Sequence, residues 1–130
     1  MARILIACCL LSLAAVATRA APQQDRLDRV DIDEVLGNER LFRAYVQCLL
    51  DDGDGKCTPE GKELKKLLPN LVANGCNDCS PRHLERSVKV LKHVTEKRPQ
   101  DWAKLKAKFD PAGEYTKKHS ATWKQRGINF

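Results

Sequence analysis

The amino-acid sequence predicts an all-α protein, a compact bundle of about six short helices. Apolar residues recur at intervals of three and four through most of the chain. Residues that start and stop helices, mainly Ser, Thr, Asp, Asn, Pro and Gly, stand between these apolar stretches. No long stretch alternates between polar and apolar residues as a half-buried strand would.

The N-terminal stretch MARILIACCLLSLAAVATRA is typical of a secretory signal peptide, residues 1–20. Its apolar run from Ile4 to Val16 is too short and too weakly flanked for a membrane-spanning helix. Cleavage after Ala20 leaves one helical domain, residues 21–130, and cleavage after Ala17 is the alternative. We therefore expect a secreted, extracellular protein.

Two helices are predicted before the first cysteine. Asp31 lies three residues before Glu34 in a capping-box arrangement, and the helix that it starts ends at Gly37. Asn38 caps the next helix. The face of that helix is predicted to carry Leu41, Tyr45, Cys48 and Leu49.

The next predicted helix begins at Thr58 and Pro59. Proline suits the first helical position, where its missing N–H has no partner to lose. Pro69 predicts a kink or a local tightening inside this helix, and Gly75 predicts its end. The apolar residues at helical spacing are Leu64, Leu67, Leu68, Leu71 and Val72.

Ser80 and Pro81 repeat the same start signal, and Pro99 opens a further short helix. The segment DPAG ends that helix, and a last, weakly apolar helix is predicted from Glu114 to Arg126. The apolar faces of these helices are Leu84, Val88, Leu91 and Val94 in the first, and Trp102, Leu105 and Phe109 in the second.

The stretch LLDDGDGKCTPEG resembles a calcium loop but lacks its ligands. In the best register Asp52, Asp54 and Glu63 stand at positions 1, 3 and 12. Lys56 then stands at position 5 and Cys57 at position 6, where a ligand and a glycine are needed. The sequence therefore predicts a tight polar turn without a metal.

Four cysteines remain after removal of the leader: Cys48, Cys57, Cys76 and Cys79. In an oxidising compartment an even number indicates two disulfides, for which three pairings are possible. The spacing of Cys76 and Cys79 would also suit a zinc site, although secretion argues against four reduced thiolates.

The sequence contains no nucleophile elbow, zinc-protease motif or phosphate-binding loop, so we expect no enzyme and no cofactor. His83 and His93 lie ten residues apart on one predicted helix, and both are expected at the surface. Because the leader carries Arg3 and Arg19, the net charge falls from +6 to +4 after cleavage. The lysines are spread along the chain without aromatic stacking platforms, so nucleic acid is not an expected partner.

The apolar faces fit two functions that the pattern alone does not separate. They form either the filled core of a secreted interaction protein or the lining of a site for a small hydrophobic ligand between helices. The candidate ligand-binding residues are Tyr45, Leu49, Leu64, Leu68, Val72, Val90, Leu91, Val94, Trp102 and Leu105.

The order C-x8-C-x18-C-x2-C, within DIDEVLGNERLFRAYVQCLL, KCTPEGKELKKLLP, NGCNDCS and KFDPAGEYTKK, closely resembles the insect chemosensory proteins. The resemblance extends from about Leu27 to Lys118. It implies a six-helix fold around a hydrophobic channel, with two local disulfides. Carried over by position, these disulfides join Cys48 to Cys57 and Cys76 to Cys79.

The resemblance also implies a monomeric carrier of fatty acids, alcohols or semiochemicals that acts without catalysis or metal. It identifies no membrane or receptor partner for delivery, and it leaves roles in cuticle, development or defence open. The chain departs from many relatives in having eight residues, rather than six, between the first two cysteines. Leu27 and His119 stand where relatives usually carry tyrosines that border the channel mouth.

Overall fold

The computed structural model describes residues 24–130, with side chains from residue 26, and this part of the chain consists of helices joined by turns and short loops, without a strand. The all-α prediction is confirmed. The helices are α1 (Gln24–Asp28), α2 (Ile32–Gly37), α3 (Glu39–Leu50), α4 (Pro59–Asn74), α5 (Pro81–Lys97), α6 (Pro99–Phe109) and α7 (Glu114–Gln125). Helix α1 was not predicted, whereas α2 to α7 were. The predicted signal peptide, residues 1–20, lies outside the described residues.

The helix limits follow from local capping. Each predicted cap accepts a backbone hydrogen bond: Asp31 from Glu34, Asn38 from Leu41, Thr58 from Gly61 and Ser80 from His83. Gly75 ends α4 with φ of 62°, a left-handed conformation that glycine adopts without steric penalty. Helix α4 continues through Pro69, which lies on its exposed side.

The predicted inward face of α3 is confirmed at Cys48 and Leu49 but wrong at Leu41 and Tyr45. Phe42 and Val46 are buried, whereas Leu41 and Tyr45 are half-buried. Both sets give helical spacing with Leu49, which is buried as predicted. The identity of the neighbouring helices decides between them, and the sequence pattern does not contain that information.

Two hydrophobic clusters form the core. In the first cluster, the buried residues Phe42, Val46 and Val94 pack with the half-buried Leu36, Leu50, Val90, Trp102 and Leu105. In the second cluster, the buried residues Cys76, Trp123 and Ile128 pack with the half-buried Leu71, Cys79, Leu84, Val88 and Leu91. Helix α5 contributes to both clusters, so it lies between the two halves of the core.

The disulfides join Cys48 to Cys57 and Cys76 to Cys79, with Cα–Cα distances of 4.7 and 5.1 Å. This is the pairing that the family resemblance implies. All four sulfurs are bonded, so the zinc alternative is wrong. Each disulfide closes a short loop beside a helix end and ties no two distant helices together.

Helix α5 fastens the N-terminal segment through its polar side chains. Arg86 donates hydrogen bonds of 2.7 Å to the carbonyl oxygens of both Leu27 and Val30. His83 Nε2 donates to the Asp28 carboxylate at 2.8 Å, so this histidine is half-buried rather than at the surface as predicted. These contacts hold α1 and the start of α2 against α5.

Arg98, between α5 and α6, fastens the start of α3. Its guanidinium donates to both carboxylate oxygens of Glu39 at 2.7 and 3.0 Å, and to Asp101 at 2.9 Å. The hydrogen bond from Arg98 lowers the pKa of Glu39. The same guanidinium lies 4.8 Å from the centre of the Phe42 ring. His93, which was also expected at the surface, is half-buried with its ring 5.6 Å from that of Phe42.

Two lysines donate hydrogen bonds to backbone carbonyl groups at the end of α3 and in the polar turn that follows it. Lys108 Nζ donates to the carbonyl oxygens of Leu50 and Asp51 at 2.8 and 2.9 Å. Lys65 Nζ donates to Asp51 and, at 2.8 Å, to the carbonyl oxygen of Gly53. Ammonium groups of the protein therefore contact the oxygens at the start of this turn. Among the described residues, no three His, Cys, Asp or Glu side chains lie together as a metal site would require.

Asp110 caps α7 from outside the helix. Its buried carboxylate accepts hydrogen bonds from the Thr116 N–H at 2.9 Å, the Tyr115 N–H at 3.3 Å and the Thr116 hydroxyl. Gly113, at the cap position itself, has no side chain to do this. Burial acts to raise the pKa of Asp110, but the hydrogen bonds from Thr116 and Tyr115 outweigh it and leave the pKa lowered.

We expect Asp110→Ala to lower the free energy of unfolding by about 1–2 kcal/mol at neutral pH, because α7 loses its cap. Since the pKa of Asp110 is lowered in the folded protein, its contribution is fully present above about pH 4 and is lost as the pH falls through the folded-state pKa. Thermal unfolding followed by circular dichroism between pH 2 and pH 7 measures both effects. Asp54→Ala, in the exposed turn, is the control. A destabilisation by Asp110→Ala that stays constant down to pH 2 would contradict this assignment.

We expect Lys108→Met to lower the free energy of unfolding by about 1 kcal/mol, because two carbonyl oxygens lose a charge-assisted partner. Lys104→Met, on the exposed side of the same helix, should have little effect. Chemical denaturation of both variants provides the measurement. Stabilisation of the unmodified protein by millimolar calcium would contradict the view that lysines, rather than a metal, satisfy this turn.

Candidate ligand-binding site

The residues predicted to bind a ligand do not all belong to the two hydrophobic clusters. Val90, Val94, Trp102 and Leu105 belong to the first cluster, and Leu91 belongs to the second. The remaining predicted residues belong to neither cluster: Leu49 is buried, and Tyr45, Leu64, Leu68 and Val72 are half-buried. The structure therefore distributes the predicted set over α3, α4, α5 and α6 rather than collecting it in one cluster.

Helix α4 turns its apolar face towards α3. A side-chain carbon at Gly61 would lie only 2.9 Å from Cys48 Sγ, so this side of α4 faces α3 closely. Leu68 and Val72 follow Gly61 after about two and three full turns and lie on the same side. Both remain half-buried although they face a neighbouring helix. Each of these two apolar side chains therefore keeps part of its area accessible.

The leucines show the same incomplete burial throughout the described chain. Leucine is among the residue types most often fully buried in proteins. Here Leu49 alone among the described leucines is buried, at 8% exposure, and the others are half-buried. An apolar interior whose side chains retain accessible area suits the binding of an apolar ligand.

Tyr45 supplies a polar group beside this interior, at the junction of α3 and α4. It is half-buried and lies near Glu60, in the first turn of α4. Burial raises the pKa of the Tyr45 hydroxyl, and the charge of Glu60 acts in the same direction. The phenol therefore stays protonated near neutral pH and keeps a proton that it can donate.

Trp102 packs against the first cluster and lies under the ring of Phe130. The two ring centres are 5.2 Å apart and the planes differ by 15°, so the rings are stacked. Trp102 itself is half-buried. The contact with Phe130 was not expected from the sequence, because nothing in the apolar spacing relates the C-terminal residue to α6.

His119, where relatives usually carry a tyrosine, joins two helices. Its ring is buried, and Nε2 donates to the carbonyl oxygen of Ala73 at 2.9 Å. Arg126 donates to the carbonyl oxygen of Gly75 at 3.3 Å. Both side chains satisfy carbonyl groups at the C-terminal end of α4, which a helix leaves without partners. His119 therefore joins α7 to α4.

Two surface clefts lie away from the predicted residues. One of about 410 Å³ lies between α5 and the segment that contains α1 and α2, and it is lined mainly by charged side chains of both signs, among them Asp28, Arg82, Glu85 and Lys89. The other, of about 480 Å³, lies along the outer side of α3 and is lined by Glu39, Arg40, Arg43, Ala44 and Gln47. Neither contains a predicted lining residue, and charged walls do not suit an apolar ligand. The half-buried leucines therefore indicate the location of the ligand site better than these two clefts do.

Within the described residues, no helix has the length and apolar composition needed to cross a membrane.

Comparison with known proteins identifies close relatives over most of the chain. The model of the insect pheromone-binding family, A10/OS-D, matches residues 23–117. Ejaculatory bulb-specific protein 3 of Drosophila melanogaster is 43% identical over 103 residues, which are 79% of this chain and 80% of that protein.

Solved structures of similar sequence have the same fold. The antennal chemosensory protein A6 from the moth Mamestra brassicae is 39% identical with a TM-score of 0.61, over 76% of this chain and 95% of that one. A chemosensory protein in complex with bromo-dodecanol is 38% identical with a TM-score of 0.65, over 78% of this chain and 96% of that one. The sequence match, the shared helical fold and the cysteine pattern lead to one conclusion: this chain belongs to the insect pheromone-binding family A10/OS-D, the chemosensory proteins.

Proposed function

We propose that this protein is a secreted, non-enzymatic carrier that binds small hydrophobic molecules, such as fatty acids, alcohols and semiochemicals, between its helices. The observation that carries the proposal is the incomplete burial of Leu68 and Val72 on the inward side of α4. The related chemosensory protein in complex with bromo-dodecanol, a long-chain alcohol, supports the same ligand class.

The proposed site lies between the two hydrophobic clusters, among α3, α4, α5 and α6. Its apolar wall comprises Leu49, Leu64, Leu68, Val72, Val90, Leu91, Val94, Trp102 and Leu105. Tyr45 offers a neutral hydroxyl that can form a hydrogen bond with a polar head group. The alternative is a secreted interaction protein with a filled core, acting in cuticle, development or defence.

The driving force for binding is burial of the ligand's apolar surface, about 0.8 kcal/mol per methylene. Ten buried methylenes contribute roughly 8 kcal/mol before the losses of chain and translational freedom. Hydrogen bonding of the head group recovers part of these losses, so a dissociation constant near the micromolar range, about 8 kcal/mol, is reasonable. Because no ion pair drives binding, affinity should depend little on salt.

The local disulfides are compatible with this role. Neither of them joins two helices that are distant in the sequence. Helices α4, α5 and α6 can therefore adjust their separation to a ligand without breaking a covalent bond. The carrier is proposed to act as a monomer and without a metal or cofactor.

We expect Leu68→Glu to weaken the binding of long-chain alcohols at least about tenfold, because it places a carboxylate in the apolar wall. Lys104→Glu is the matched control, since it introduces the same carboxylate on the exposed side of α6. Displacement of a naphthylamine dye that brightens in apolar sites gives the affinities for alcohols of twelve to eighteen carbons. Circular dichroism must first show that both variants remain helical.

For the unmodified protein, affinity should rise with chain length until the site is full. Equal losses in Leu68→Glu and Lys104→Glu, or an affinity that is independent of chain length, would place the ligand on the surface. Absence of any saturable dye brightening would favour the filled-core alternative.

A further inference from the structure

The chain reverses sharply after α7. Gly127, with φ of 86°, donates its N–H to the carbonyl oxygen of Lys124 at 3.0 Å, and Ile128 donates to that of Trp123 at 3.0 Å. These two bonds form a Schellman motif, in which a left-handed glycine ends the helix and turns the chain back. The last three residues, 128–130, therefore run back over the helices instead of extending away from them.

Ile128 anchors this C-terminal segment in the second cluster. Its side chain is 1% exposed and packs with Trp123 and Cys76. Contact between the residue after the glycine and the last turn of the helix commonly accompanies a Schellman motif. The buried side chain of Ile128 and the turn at Gly127 together determine the direction of the chain after Ile128.

Two residues further on, Phe130 reaches the first cluster. Its ring stacks on Trp102, which packs against that cluster. The segment 128–130 therefore spans from the second cluster to the first, as the proposed ligand also would. Of its two apolar side chains, Ile128 is fully buried, whereas Phe130 is 43% exposed.

Phe130 is held much more weakly than Ile128. Among the described aromatic contacts, its stacking on Trp102 is the one that it makes, and such pairs contribute little beyond the apolar area that they bury. The ring can therefore leave Trp102 while Ile128 keeps the rest of the segment in place. A ligand chain that reaches Trp102 would offer the indole an equivalent apolar contact.

We propose that the face of Trp102 under Phe130 is the terminal subsite for the apolar end of the ligand, and that Phe130 competes with the ligand for it. This inference rests on the proposed carrier function. A short alcohol ends before Trp102 and leaves the stacked rings in place. A longer one displaces Phe130, so its last methylenes add less affinity. Phe130 thereby sets the chain length at which the affinity stops rising.

The test compares Phe130→Ala with the unmodified protein in dye displacement by dodecanol, tetradecanol, hexadecanol and octadecanol. We expect the affinity for dodecanol to be unchanged and that for octadecanol to increase about threefold to tenfold, the range of a lost aromatic pair. Tyr115→Ala is the matched control, because Tyr115 is also an exposed aromatic residue, at 38%, and lies away from the proposed site on α7. It should leave the whole series unchanged.

A second measurement reports on the stacked rings directly. Without ligand, Phe130→Ala should shift the tryptophan emission to longer wavelength, because Trp102 loses its cover, and octadecanol should reverse this shift. Trp123 is buried in the second cluster in both proteins and contributes a constant background.

The two hypotheses fail in different ways. If the unmodified protein binds none of the alcohols, the carrier function is wrong and the subsite falls with it. If the unmodified protein binds them but Phe130→Ala shows the same dependence on chain length, the carrier function stands and the role of Phe130 is wrong. A uniform loss of affinity in Phe130→Ala also overturns competition, since it would mean that the ring contacts the ligand instead of giving way to it.

Discussion

The packing of α5 between the two hydrophobic clusters is the constraint on which the rest of the fold depends. Val90 and Val94 enter the first cluster from this helix, and Leu84, Val88 and Leu91 enter the second. Because each disulfide closes only a local loop, no covalent bond holds the distant helices together. The apolar contacts of α5, supported by hydrogen bonds from Arg86 to the N-terminal segment, set their arrangement.

The apolar side chains of α4 remain partly accessible. Protein interiors normally pack as densely as organic crystals, and unfilled space forfeits contacts on one side of each lining atom. Here the inward-facing Leu68 and Val72 on α4 lack such contacts in part. A bound apolar chain would supply them, which explains how a domain can gain stability from its ligand. The same reasoning explains the position of the Phe130 ring, because it covers the apolar surface of Trp102 when no ligand does so.

Carbonyl groups at the C-terminal ends of α3 and α4 and in the turn after α3 bind side chains from elsewhere in the chain. Lys65 and Lys108 bind the carbonyl groups after α3, and His119 and Arg126 bind those at the end of α4. Such carbonyl groups have no partner within their own helix. Several basic residues that give the chain its positive charge therefore have structural partners.

The sequence by itself determined the helical class, the limits of α2 to α7 and the family, because caps, prolines and cysteine spacing act within a few residues of where they stand. Tertiary structure alone decided which apolar row begins the buried side of α3. Leu41 and Phe42 both begin an apolar row with helical spacing, and the neighbouring helices select Phe42. The burial of Ile128 and the stacking of Phe130 on Trp102 likewise could not be predicted from the spacing of apolar residues. Such contacts join residues that are distant in the sequence, and apolar periodicity describes only one helix at a time.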